Sequence, residues 1–361
     1  MYVYNIDYRN KDDAGYFVFT RGSAASGTSG FNSAVLTPIT SSSVGAMGTM
    51  NQTMSYSFTN SDVNMNIPYI DRIAIKHQNK YAFAGDSNLG RFSPLYLPTN
   101  EGQSVWVKPY AVFENVPLKN GPKVSNIAYG TMIGFDSEMQ ELRRGWDRVF
   151  TGYVGYNGAS QRFNGIDSTQ NGGLIGGTLT LYKKHFFNAT TLSIGSSVAN
   201  NQTMYGSDDY TTLLSGIGNK MGYNVEFKGG KLILQPSMLI SYTMIKTFDY
   251  KNSAGVQFNS KPMHTLQLVP CLKVIGNLKN GWQPYLSVAM IWNQLLASET
   301  TANGVELPKT KIKPYVQYGV GVQKRIKDDF VAYGQAMVQN GGRNGVSLTA
   351  GFRWAIGKNQ K

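Results

Sequence analysis

The chain has 361 residues and a formal net charge of +13, yet charged residues make up only 15% of it. Glycine (40 residues), tyrosine (22) and polar uncharged side chains fill the gap, the mean hydropathy is −0.27, and no run approaches the roughly 18 apolar residues of a membrane-spanning helix. A single cysteine, Cys271, excludes an intrachain disulfide, and the scattered Lys and Arg form no nucleic-acid fingerprint.

Two classes remain: an outer-membrane β-barrel, whose per-strand signal is weak, and a soluble β-rich protein. Composition does not separate them, so the order of elements must.

The first residues, Met1 to Asp7, lack the basic and apolar regions of a signal peptide. A membrane-barrel reading therefore implies a fragment or mature piece of something longer. Tyr16 to Thr20 alternate after the polar Asn10–Asp13 turn and read as the end of a β-structure. Residues 22–30 have flexible-linker composition.

Ser41, Ser42 and Ser43 offer a helix N-cap. Met47, Met50, Met54 and Phe58 then fall on one helical stripe, and the expected helix runs over 41–65. Its remaining surface is Ser, Thr, Asn, Gln and Gly, which suits a wet tunnel better than a dry core. A surface helix packed on a β-domain is the alternative.

Residues 66–103 read as an irregular connector with Pro68, Pro94 and Pro98. Gly85-Asp86-Ser87 within it matches the nucleophile motif of one esterase family, which also needs Asp-x-x-His. Ala74, Tyr182 and Lys261 stand where that Asp would precede His77, His185 and His264, so the triplet reads as a loop.

From Ser104 onward the chain alternates with the period of two that marks strands. The expected strands are 104–113, 125–136, 148–160, 173–183, 187–199, 212–227, 231–247, 264–277, 282–296, 312–325, 330–339 and 345–356. They make an even twelve, as a bacterial single-chain barrel requires. In the last, Val346, Leu348, Ala350, Phe352, Trp354 and Ile356 share one face, and Ser347, Thr349, Gly351 and Arg353 the other. Another sets Ile217, Met221 and Tyr223 against Gly216, Gly218, Lys220 and Gly222, with Asn219 interrupting the apolar face. Lys and Glu on the polar faces point to a water-filled lumen. Cys271 reads as a small side chain within a strand.

Long connections (114–124, 161–172, 200–211, 248–263, 297–311, 340–344) alternate with short ones (184–186, 228–230, 278–281, 326–329). The exception is 137–147, long for its side. Long loops at one end and tight turns at the other describe an outer-membrane barrel, whereas a Greek-key sandwich has no reason to alternate so.

At this point the sequence resembles the translocator domain of type Va autotransporters. The matching segments are Val105 to Tyr110, Tyr129-Gly130 with Gly134-Phe135-Asp136, Thr151 to Gly158, Leu234-Gln235-Pro236 with Tyr242, and Gly351 to Trp354. The resemblance implies an all-β, twelve-stranded antiparallel transmembrane barrel over 104–356 with a lumenal linker helix over 41–65. It also implies a passenger remnant and linker over 1–40, a connector over 66–103 and a tail over 357–361. It further implies a Gram-negative-type outer membrane, with the N-terminal stub at the cell surface and the C-terminus periplasmic. The implied partners are outer-membrane lipid, the barrel-assembly machinery, periplasmic chaperones and the chain's own passenger.

Thr349, Gly351, Phe352, Trp354 and Ile356 look like the assembly signal that the barrel-insertion machinery reads. Some members cleave their passenger at an Asn within the linker helix, and Asn51 and Asn60 lie in that segment. No cofactor, metal site or enzymatic residue set is expected. The alternatives are a porin or passive channel, a barrel enzyme using His264, and a soluble adhesin-like protein.

Overall fold

The computed structural model describes residues 2–11, 14–24, 33–59, 61–66, 103–117, 123–163, 166–203, 206–253, 255–278, 281–297, 299–307, 312–327 and 330–356. Gly85-Asp86-Ser87, His77, Asn60, most of the expected connector and the tail lie outside them.

Twelve long antiparallel strands form one closed barrel. In chain order they are β1 (Gln103–Pro117), β2 (Lys123–Asp136), β3 (Trp146–Phe163), β4 (Ile166–Lys183), β5 (Phe186–Thr203), β6 (Gly206–Tyr223), β7 (Leu232–Thr247), β8 (Met263–Gly276), β9 (Trp282–Ala297), β10 (Tyr315–Lys327), β11 (Phe330–Gly341) and β12 (Asn344–Ile356). Each pairs with the next, and β12 closes on β1 from Asn344↔Asn115 to Ile356↔Gln103. Closure leaves no edge, the condition a sheet must meet in hydrocarbon. The strands at 2–11 and 14–24 pair only with each other among the described residues.

Burial alternates as the sequence does. Ile127, Ile133, Phe135, Val154, Ile175, Leu192 and Leu286 stand outward, whereas Trp106, Lys108, Thr178 and Thr243 point inward and are fully buried. The outward apolar band has aromatic borders: Phe150, Trp282, Phe352 and Trp354 toward the tight turns, Phe113, Tyr156 and Trp292 toward the long loops. This is the belt of a membrane-spanning barrel. Asn219 breaks it yet is satisfied, since its amide exchanges hydrogen bonds with Asn188 (3.0 and 3.2 Å) and donates to Thr190 Oγ1 at 2.8 Å.

All twelve expected strands are present, and several are longer than their alternation suggested. The expected loops 161–172 and 200–211 are largely strand, because β4 begins at Ile166, β5 ends at Thr203 and β6 begins at Gly206. Above Tyr156 and Ile175 the outward residues become Ser160, Arg162, Asp167, Thr169 and Asn171. There the outer face is polar and the inner face mixes Phe163 and Ile166 with Gln161, Ser168 and Gln170, so the period-two contrast fades while the ladder continues. Conversely, the expected strand 212–227 breaks at Asn224, after which 225–227 pairs with the start of β7.

The long joint 137–147 is a small hairpin in which Gln140–Leu142 pair with the start of β3. Arg144 and Gly145 turn it at φ 65° and 70°. Loops 248–263 and 297–311 contribute a four-stranded sheet built from Tyr250–Lys251, Gln257–Ser260, Thr300–Ala302 and Val305–Glu306. Phe258, Ala302 and Leu307 form its core.

Helix α1 spans Ser33–Ser57 and so starts before the expected cap at Ser41. Pro38 lies in its second turn and, having no N–H, leaves the Ala34 carbonyl without its helical donor. The helix stops at Ser57, whose hydroxyl donates to the Met54 carbonyl at 2.8 Å. That bond competes for the acceptor that the next helical N–H would use. A second helical segment, α2, covers 61–66.

Candidate functional site

Both helical segments lie in the lumen. Met47, Met50 and Met54 are buried among Val116, Val124, Phe163, Ile166, Ile245 and Met263, all near the long-loop ends of their strands. Met65 is buried among Val149, Tyr182 and Phe187, Tyr182 and Phe187 beside a tight turn and Val149 beside the 137–147 hairpin at the same end of the barrel. The described chain therefore runs from the long-loop end at residue 45 to the turn end at residue 66. Asn66 accepts from Gln283 Nε2 on its carbonyl (2.7 Å) and from Asn224 Nδ2 on its side chain (3.1 Å).

The stripe of Met47, Met50, Met54 and Phe58 is fully buried, so the lumen is greasy where that stripe touches it. Elsewhere the contacts are polar. Thr243 Oγ1 donates to Asn51 Oδ1 at 3.0 Å. Tyr56 OH lies 3.2 Å from Ser347 Oγ, and Ser61 Oγ 2.8 Å from Thr180 Oγ1.

Gly48 is a close approach. A Cβ there would stand 2.9 Å from the guanidinium of Arg343, which is paired with Glu114 at 2.6 Å. Lys108 then meets the end of α1. Its Nζ donates to the Tyr56 carbonyl at 2.6 Å and lies over the Tyr56, Trp106 and Tyr333 rings at 5.5, 5.8 and 5.4 Å. A cation at a helix C-terminus complements the carbonyls left without helical partners.

Below it, Asp62 Oδ2 accepts from Lys220 Nζ at 2.7 Å and Lys273 Nζ at 3.1 Å. These lysines come from β6 and β8. Beside them lies a small space lined by polar Asp62, Lys273 and Gln323 and by apolar Val63, Ile275 and Tyr285.

A second buried carboxylate, Asp136, sits at the barrel seam. It accepts from Ser104 Oγ at 3.0 Å, Trp106 Nε1 at 3.2 Å, Thr151 Oγ1 at 2.7 Å and Arg353 Nε at 3.2 Å. The first, second, third and last strands thus meet on one side chain.

Of the residues singled out in the sequence, Thr349 is buried in the lumen, while Phe352, Trp354 and Ile356 stand outward. Phe352 stacks on Phe330 with centroids 5.8 Å apart. Gly351 is needed small, since a Cβ there would lie 2.6 Å from the Tyr333 hydroxyl. Asn51 is buried against Thr243. His264 Nδ1 lies 2.6 Å from Tyr242 OH, and His185 3.2 Å from Glu226. Cys271 sits within β8, its Sγ 3.4 Å from Ser287 Oγ.

The lock at Asp62 was missed in the sequence, though a signal existed. Asp62 is the one acid in the expected helix, and Lys220 and Lys273 already fell on polar faces of their strands. Lysine in a lumen calls for a counter-charge.

The chain matches the family model described as autotransporter β-domain over residues 105–337. Among curated proteins no sequence matches it. Its fold is similar to the transport unit of the autotransporter AIDA-I from Escherichia coli. There the TM-score is 0.60 at 15% identity, covering 80% of this chain and 99% of that one. It is similar to the translocator domain of NalP from Neisseria meningitidis (TM-score 0.60, 11% identity, 85% and 98% covered). The β-domain of Bordetella BrkA gives 0.57 at 17% identity, with 71% and 100% covered.

Proposed function

The chain belongs to the autotransporter β-domain family, and from that premise we infer that its lumenal helix is the trailing linker of an exported passenger. The barrel is an outer-membrane translocator domain, and its family is one of secretion. In our reading the long-loop end faces the cell surface, the tight turns and C-terminus face the periplasm, and residues 1–40 are passenger remnant and linker. Residues 41–65 are the lumenal linker helix and 66–103 the connector of this proposal.

The observation that carries this reading is the direction of the helix. Its methionine end lies among residues near the long loops and Asn66 among residues beside tight turns. A chain so threaded leaves its upstream part on the long-loop side. A passive channel has no use for a helix gripped at several levels, so the porin alternative is the weaker one.

The mechanism is physical. The closed ladder satisfies the backbone in lipid, the polar inner wall accommodates a linker, and buried bonds arrest it. The assembly signal at Thr349, Gly351, Phe352, Trp354 and Ile356, read by barrel-assembly machinery after delivery by periplasmic chaperones, belongs to the same proposal. So does linker cleavage at Asn51 or Asn60, with Asn51 bonded to Thr243.

The test places a signal peptide and an epitope tag before Met1 and treats intact Gram-negative cells with protease. Loss of the tag, with a heat-modifiable barrel retained, is expected. A protected tag on an assembled barrel would overturn the orientation.

A further inference from the structure

We propose that the lumen holds an anion site formed by Lys108, Lys220 and Lys273, which Asp62 fills as an internal counter-ion. Once the helix is withdrawn, the site makes the open barrel a chloride-selective pore.

The three lysines come from β1, β6 and β8, so all belong to the wall. Asp62 belongs to the removable helix. Lys220 and Lys273 both reach the same oxygen of Asp62. Lys108 is fully buried, lies within electrostatic range of Asp62 and of both other lysines, and spends its Nζ bond on the Tyr56 carbonyl. The helix thus supplies the carboxylate and the backbone carbonyl that these cations bond, while the wall adds the ring faces of Trp106, Tyr333 and Tyr285.

Withdrawal leaves Lys108 above and Lys220 and Lys273 below it as a short column of ammonium groups in a lumen whose wall excludes lipid. Water then hydrates these ammonium groups, but their charge keeps no fixed counter-ion from the helix and draws a mobile anion from solution. The space beside Asp62 already lies against Lys273. A positive constriction with low-dielectric walls concentrates anions and repels cations. Glu114 and Asp136 are each paired with an arginine, Arg343 and Arg353; Asp136 also lies within electrostatic range of Lys108, so the positive excess centres on Lys220 and Lys273.

The inference concerns conduction through the wall and holds whether or not the helix is a passenger linker. The full chain is reconstituted in planar bilayers under a KCl gradient as wild type, as Asp62→Asn, and as Asp62→Asn with Lys220→Gln and Lys273→Gln. Heat-modifiable migration verifies assembly. Asp62→Asn is expected to open several-fold more often than wild type, with chloride permeability exceeding that of potassium. The two glutamines should bring the preference several-fold closer to parity. The rare voltage-driven openings of the wild type should share the chloride preference, which keeps the test decisive if a variant assembles poorly.

Openings that prefer potassium or neither ion would overturn the proposal. So would a preference indifferent to both lysines, or no rise in opening for an assembled Asp62→Asn barrel. Chloride-selective openings with a protected surface tag would sink the export reading and leave the anion site standing. A removed tag with unselective openings would do the reverse.

Discussion

Two buried carboxylates, Asp136 and Asp62, have the same chemistry and opposite roles. Asp136 is bound entirely by the wall, through Ser104, Trp106, Thr151 and Arg353. Asp62 is bound by the wall's Lys220 and Lys273 but rides on the helix. The first ties the barrel's seam and owes nothing to the helix. The second ties a separable element to a finished barrel. Removing either takes a buried carboxylate from the cations it holds, so the difference lies in which part of the molecule bears the cost.

The largest effect is expected from Asp136→Ala. Breaking a buried pair by deleting one partner costs about 3–5 kcal/mol, and here it also strands Trp106 Nε1 and two hydroxyls at the closing strands. The heat-modifiable form should be strongly depleted on semi-native gels. An unchanged band intensity and melting temperature would deny Asp136 its place in the seam.

Asp62→Ala disturbs interactions of similar size but should spare the barrel band. Hydrogen exchange should rise over 59–66 and stay low in β1 and β12. Equal loss of protection in helix and strands would erase the distinction between the two carboxylates.

Met50→Ala probes the apolar half of the helix, where contacts have no direction. A fully buried methionine cut to alanine costs about 2–4 kcal/mol. Exchange should rise over 45–54, with the Asp62 end less affected. The smallest change is Thr243→Val, which removes the bond to Asn51 and costs about 1 kcal/mol. It should be detectable only as a modest rise in exchange around residue 51.

The same contrast marks what the sequence reveals. The wall is legible because lipid outside and water inside impose a two-residue period on every strand. All twelve strands follow from it, as does the outward set Phe352, Trp354 and Ile356. The rule fails where its cause fails. Above the apolar band, residues such as Asp167, Thr169, Asn200 and Asp209 face water on the outside too, so strand reads as loop. The four-stranded sheet within loops 248–263 and 297–311 is hidden for the same reason, its strands being too short to show a period.

The helix was legible through Met47, Met50, Met54 and Phe58, because they bury one stripe. Its start at Ser33 was hidden behind Pro38. The pairing at Asp62 was harder to read than its unbalanced charges, because Lys220 and Lys273 lie 158 and 211 residues away in sequence, and only closure of the barrel brings them to one oxygen.

The most direct test of the central claim is thiol cross-linking in intact outer membranes, with Cys271→Ser as background. Met47→Cys with Thr265→Cys, whose native side chains lie 3.2 Å apart, and Asn66→Cys with Gln283→Cys should each join through a short bifunctional thiol reagent. The exchanged pairs, 47 with 283 and 66 with 265, should not. Joining of the exchanged pairs instead, or of no pair in an assembled barrel, would contradict a helix that descends the lumen from the long loops to the tight turns.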